Sequence, residues 1–167
     1  DFGDHLQMTQ RQAVSAADED GLQHQGERTW YVYDAAGQRV RKVTERQAAA
    51  GQIASRMKER IYLGGFEIYR QYESDGDTVT LERETLHLMD DQRRIGLVET
   101  RVHGSDGSPA QLVRHQYSNH LRSASLELDG AGQIISYEEY YPYGSASYQG
   151  VRSQTEVPKR YRHTEME

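Results

Sequence analysis

Tyr33-Asp34-Ala35-Ala36-Gly37-Gln38 joins one strand-like run to another, and Leu128-Asp129-Gly130-Ala131-Gly132-Gln133 does the same far downstream. In both copies Asp precedes Gly by three residues, and aromatic or β-branched residues flank the pair. An Asp carboxylate accepts hydrogen bonds from backbone amides ahead of it, and Gly takes positive φ without steric cost. The spacing therefore predicts a turn between strands. Recurrence of the phrase points to a repeat architecture, in which one unit cannot bury its apolar face alone.

Outward from the first copy, Trp30-Tyr31-Val32-Tyr33 is dense in strand formers, and Arg39-Val40-Arg41-Lys42-Val43 reads as the return strand of a hairpin. Upstream, residues 1–28 are polar and mixed. Phe2, Leu6 and Met8 suggest a short strand, and residues 15–21 an acidic loop. Residues 45–60 contain Gln47-Ala48-Ala49-Ala50 and read as a polar, partly helical insertion interrupted by Gly51. Residues 61–71 read as strand with a bulge or turn at Gly64-Gly65. Asp75-Gly76-Asp77, Asp90-Asp91 and residues 104–109 read as turns or loops between further strands. Around the second copy, Ala124, Leu126 and Leu128 alternate with polar residues, the period of a half-buried strand. Residues 134–141 form the return strand, and Pro142 and Gly144 punctuate the chain. Residues 149–167 form a charged, weakly patterned tail.

Composition agrees with sheet. The 167 residues hold only 35% hydrophobic side chains, with 2 Phe and 1 Trp against 12 Tyr. Tyr carries a flat apolar body with a wet tip, so the expectation is sheet with both faces near water, or a piece that packs against more of its own chain. The first residue is Asp, as expected of a piece cut from a longer protein. Net charge is -6 with the signs interspersed and no basic stripe, which argues against nucleic acid. No apolar run has membrane-spanning length and no signal-peptide pattern stands in the sequence. Cysteine is absent, which excludes disulfides and thiolate metal sites.

Residues 31–43, from Tyr31-Val32-Tyr33-Asp34 to Lys42-Val43, resemble a YD repeat of the Rhs/YD-repeat proteins. The similarity continues in Tyr62-Leu63-Gly64-Gly65-Phe66-Glu67-Ile68-Tyr69, in residues 81–87, in Asn119-His120-Leu121 with Ser123-Ala124-Ser125-Leu126, and in Tyr137-Glu138-Glu139-Tyr140-Tyr141-Pro142-Tyr143-Gly144. Together they resemble the C-terminal part of the Rhs core of insecticidal toxin complex C components and polymorphic toxins, over roughly residues 29–163. The resemblance implies a β-strip spiralling into a hollow shell around a C-terminal toxin domain, in a secreted or cell-surface bacterial protein. It implies as partners the rest of the same chain, its toxin cargo and a B-type shell component. It implies no cofactor. Two departures stand out. Arg122 occupies a position where the family commonly has Gly, and nothing matching the family's self-cleavage segment follows Tyr161-Arg162-His163. Neither protease residues nor a toxin activity are therefore carried over.

Other constellations carry less. His103, His115 and His120 match no metal-ligand spacing and read as solvent-facing. Ser123, Ser125 and His120 lack a nucleophile elbow. Glu138-Glu139 places its carboxylates on opposite faces of a strand, so it is not a catalytic pair; Glu127 and Glu139 are each positioned to meet a cation across strands.

The expectation is thus an all-β, antiparallel meander of YD repeats, part of a larger β-shell, with the partly helical insertion near 45–60. Residues 1–28 are a polar N-terminal segment, 29–148 the repeat region and 149–167 the tail. Asp34, Gly37, Asp129, Gly132, Pro142 and Gly144 are the turn residues. Trp30, Tyr33, Tyr62, Tyr69, Tyr117, Tyr137 and Tyr141 are the packing residues. The function read here is a non-catalytic shell segment with open strand edges through which an isolated piece self-associates. The alternative is a carbohydrate- or cell-surface-binding YD-repeat module using exposed Tyr.

Overall fold

The computed structural model describes residues 5–10, 24–25, 27–46, 48–49, 53–91, 93–118, 124–141 and 146–151. Phe2, the 15–21 loop, residues 50–52, residues 119–123, Pro142, Gly144 and residues 152–167 lie outside the described residues. Every described element is a strand: β1 (Met8–Gln10), β2 (His24–Gln25), β3 (Arg28–Tyr33), β4 (Arg39–Glu45), β5 (Ala48–Ala49), β6 (Arg56–Leu63), β7 (Phe66–Tyr72), β8 (Val79–Asp90), β9 (Arg93–His103), β10 (Gln111–Ser118), β11 (Ala124–Leu128), β12 (Ile134–Tyr140) and β13 (Ala146–Val151).

The chain divides into two units, Asp1–Arg83 and Glu84–Glu167. In unit one the strand order is β1-β3-β4-β6-β7-β8, with β2 and β5 forming a separate antiparallel pair. In unit two the order is β8-β9-β10-β11-β12-β13. The boundary falls inside β8, whose residues 79–83 belong to unit one and 84–90 to unit two. Within each unit, apart from the β2–β5 pair, each strand lies beside the strands that precede and follow it in the sheet, the meander that turn signals at this density predict.

One expectation is corrected. Residues 45–60 hold no helix among the described residues: Ala48–Ala49 pairs with His24–Gln25, and residues 56–60 open β6, which pairs with β4 and β7. The helix preference of a short Ala run is worth less than about 1 kcal/mol per residue, and so short a helix is marginal alone. Pairing of Ala48–Ala49 with β2, and of residues 56–60 with β4 and β7, outweighs it. Strand β13 had no counterpart in the sequence reading, because Ala146-Ser147-Tyr148-Gln149-Gly150-Val151 shows no clear alternation.

The core is unlike that of an ordinary domain. The buried hydrophobic residues among those described are Tyr72, Leu81, Leu97 and Ile135, against thirteen buried polar or charged ones. Large apolar side chains such as Val32, Leu63, Val102 and Ile134 are exposed. Burial here goes mainly to Arg, Glu, Thr, Ser and Gln, so hydrogen bonding, not apolar area alone, has to account for it.

Candidate functional site: aspartate turns and buried ionic rows

The two aspartate turns have matching geometry. Asp34 Oδ1 accepts from the amides of Ala36 and Gln38, both at 2.9 Å, and Asp129 Oδ1 accepts from those of Ala131 and Gln133, again both at 2.9 Å. Gly37 and Gly132 sit at φ 77 and 76, the left-handed region that Gly enters freely. The turns differ in what covers them. A Cβ on Gly37 would lie 2.8 Å from Nε2 of His5, while one on Gly132 would meet nothing within 4 Å. His5 stacks on Tyr33 at 4.6 Å, and the Tyr33 hydroxyl donates to the Leu6 carbonyl at 3.0 Å.

In unit one the other tyrosines flank cations. The Arg39 guanidinium lies 4.9 Å from the Tyr62 ring and 5.8 Å from that of Tyr31, and Arg60 lies 5.1 Å from the Tyr69 ring. Arg60 also donates to Glu67 at 2.7 Å. On the opposite face, Glu59 is buried among Arg41, Arg56 and Tyr72. Arg41 donates to it, Tyr72 Oη donates at 2.5 Å, and Arg56 approaches to 3.4 Å. Burial pushes the Glu59 carboxyl up, but the Tyr72 and Arg41 hydrogen bonds and the two arginine charges outweigh it and hold it below the usual range. Burial first, and then donation to Glu59, raise the Tyr72 phenol. Arg56 lies over the Tyr72 ring at 4.0 Å and donates to the Gly76 carbonyl. The adjoining turn is held by Asp75, which accepts from the hydroxyl of Thr78 and the amides of Asp77 and Thr78 and falls to a pKa of about 2.

Unit two carries a longer row. Arg114 on β10 reaches Glu99 on β9 at 3.4 Å and Glu127 on β11 at 3.1 Å. Glu127 also accepts from Gln116 at 2.7 Å and from Ser136 at 3.0 Å, and Arg94 donates to Gln116 at 2.9 Å. The register explains the row: Gln116, Glu127 and Ser136 stand directly opposite one another across β10, β11 and β12. Glu127 is 1% exposed and Glu138, two residues beyond Ser136, is 0%. The other face of the same strands is aromatic and open, with Tyr117, Leu126 and Tyr137 in one cross-strand row. Tyr117 is 54% exposed, and Tyr141 and Trp30 also face solvent.

Sequence reasoning placed Glu127 opposite a cation, and Arg114 is there. It missed Glu59, Arg60, Arg94, Glu99 and Arg114 as buried groups. The available signal was opposite charges recurring at positions that the turns bring into register. Glu139 meets the Tyr137 hydroxyl instead of a cation among the described residues. Among these residues no three His, Asp or Glu converge as metal ligands.

No family model matches the chain. The chain is 35% identical to toxin subunit YenC1 of Yersinia entomophaga over 131 residues, and 33% identical to toxin subunit YenC2 of the same organism over 132. Each match covers 76% of this chain and 13% of the relative, so the chain spans about an eighth of these proteins. Among solved structures, the TcdB2-TccC3 crystal structure aligns with TM-score 0.78 and 28% identity, over 99% of this chain and 8% of that one. The Photorhabdus luminescens Tc holotoxin pore aligns with TM-score 0.79 and 28% identity, over 99% of this chain and 7% of that one. With the antiparallel sheet and the paired aspartate turns, these similarities make the chain a member of the Rhs/YD-repeat family, related to the C subunits of insecticidal toxin complexes.

Proposed function

We propose that this chain is a non-catalytic wall segment of a secreted toxin shell, which encloses a C-terminal toxin domain and assembles with further toxin-complex components. The observation that carries the reading is the row from Arg94 to Ser136, which ties four neighbouring strands through buried charges and leaves few polar groups of that face unpaired. Buried ion pairs add little net stability over apolar packing, but they penalise wrong pairings heavily. A one-residue slip of any of these strands would carry its own members of the row to the opposite face and leave their partners unpaired. Such a sheet keeps its register without a thick apolar core, which suits a thin wall whose buried face is polar.

The test uses the native protein. An antibody against this chain would isolate it from source cells, and mass spectrometry would give its full length. The expected product is several times longer than 167 residues, carries further Tyr-Asp repeats, and protects a C-terminal segment from protease until the shell is denatured. A C-terminal segment digested equally fast before and after denaturation would overturn the containment role.

A further inference from the structure

The open face of unit two holds a cluster that the ionic row does not use. Tyr137 and Tyr148 face each other across β12 and β13, with ring centroids 6.2 Å apart and planes inclined by 54°. Glu139 stands in register with Tyr148 and accepts a hydrogen bond from the Tyr137 hydroxyl at 3.0 Å. That hydrogen bond, with the Glu139 charge after it, raises the Tyr137 phenol, which therefore stays protonated and keeps its donor. Gly150 stands opposite Tyr137 and places no side chain beside the Tyr148 ring. Glu139 is exposed, Tyr148 is 57% exposed, and no Arg, Lys or His pairs with Glu139 among the described residues.

The two rings and the carboxylate lie together on this exposed face, and aromatic ring faces and carboxylates both carry negative potential. A neutral sugar would stack on the rings and donate hydroxyls to the carboxylate, but it brings no charge to answer the negative potential of either. A guanidinium uses both, because its plane stacks on a ring while its N–H groups donate to a carboxylate. We propose that Tyr137, Glu139 and Tyr148 form a recognition site for an arginine side chain presented by a polypeptide partner. The site lies on the face opposite Glu138, so it can be occupied while the buried row stays intact.

The test is a titration of the 167-residue chain, labelled with fluorotyrosine, with N-acetyl-Gly-Arg-Gly-amide and followed by fluorine NMR. Tyr137 and Tyr148 resonances would be assigned by single Tyr→Phe substitutions. The expected result is a saturable shift of both resonances, weaker by about fivefold for the uncharged citrulline peptide and by a similar factor in Glu139→Gln, since an exposed cation–π contact is worth about 1 kcal/mol. Comparison of peptides on the unaltered chain does not depend on any variant folding. Equal response to the citrulline peptide, a larger response to methyl glucoside, or no shift at all would overturn the proposal.

Discussion

Removing Arg114 tests the ionic row most directly. Its side chain is 3% exposed and lies between carboxylates whose side chains are 3% and 1% exposed. Arg114→Met removes the cation and leaves the negative charges in place. Breaking a buried pair on one side costs about 3–5 kcal/mol. Glu127 keeps its bonds from Gln116 and Ser136, which places the expected loss near the lower end, about 3 kcal/mol. That is roughly two orders of magnitude in the folding equilibrium of unit two. Glu127→Gln removes one charge and keeps one acceptor oxygen, enough for Gln116 at Oε1, while its NH2 stands where Ser136 and Arg114 now donate, so its expected cost is about 1–3 kcal/mol. The double variant should cost less than the sum by about 1–3 kcal/mol, because the groups act as a unit. The assay is urea unfolding read by hydrogen exchange and mass spectrometry over residues 93–140. Tryptophan fluorescence would not serve, since Trp30 lies in unit one. Additivity within about 0.5 kcal/mol, or a loss below about 1 kcal/mol for Arg114→Met, would show that the row contributes no coupling across the strands.

Other expectations follow from the same geometry. Gly37→Ala and Gly132→Ala should each lose about 1 kcal/mol to positive φ, with Gly37→Ala losing more because its new methyl group displaces His5 from Tyr33; thermal melts of the two variants compare them. Tyr72→Phe leaves Glu59 with the arginines alone and should cost about 1.5–3 kcal/mol in unit one, read by urea unfolding through Trp30. Glu59 is held below its usual 4.5, so its contribution is complete above that value and is lost as pH falls through the depressed pKa; Asp75, lowered from 3.8 to about 2, loses its contribution between those values. Urea midpoints measured from pH 6 to pH 2 should fall less steeply in Glu59→Gln and Asp75→Asn than in the unaltered chain.

The strands and turns were legible because period-two alternation and Asp-Gly punctuation are local signals. Asp34 with Gly37 and Asp129 with Gly132 need only a few neighbouring residues to define their turns. The ionic row was not legible for the opposite reason. Arg83 and Glu99 lie in stretches that read as strands, yet both are buried, and Glu99 meets its cation, Arg114, on the neighbouring strand β10. Charge along one strand says nothing about cover. Only the pairing of Gln116 with Glu127 and Glu127 with Ser136 shows that those side chains shield one another. The insertion failed similarly: an Ala run favours helix in isolation, while the neighbouring β6 residues are claimed by β4 and β7.

Open edges supply the last test. Among the described residues β1 pairs only with β3, and β13 only with β12. Natural edges are commonly guarded by Lys, Pro or an inward charge. Neither Met8-Thr9-Gln10 nor Ala146-Ser147-Tyr148-Gln149-Gly150-Val151 contains any of these. Six residues of unguarded strand can take another strand by backbone hydrogen bonding, whether from elsewhere in a long chain or from a second copy. The isolated 167-residue chain should therefore show a mass in light scattering that rises with concentration. Gln149→Lys should shift that rise to higher concentration, since each added strand would bring like charges together at the new seam. A constant monomer mass at high concentration would mean that β13 is already covered, and the wall reading would then need a different route to continue the sheet.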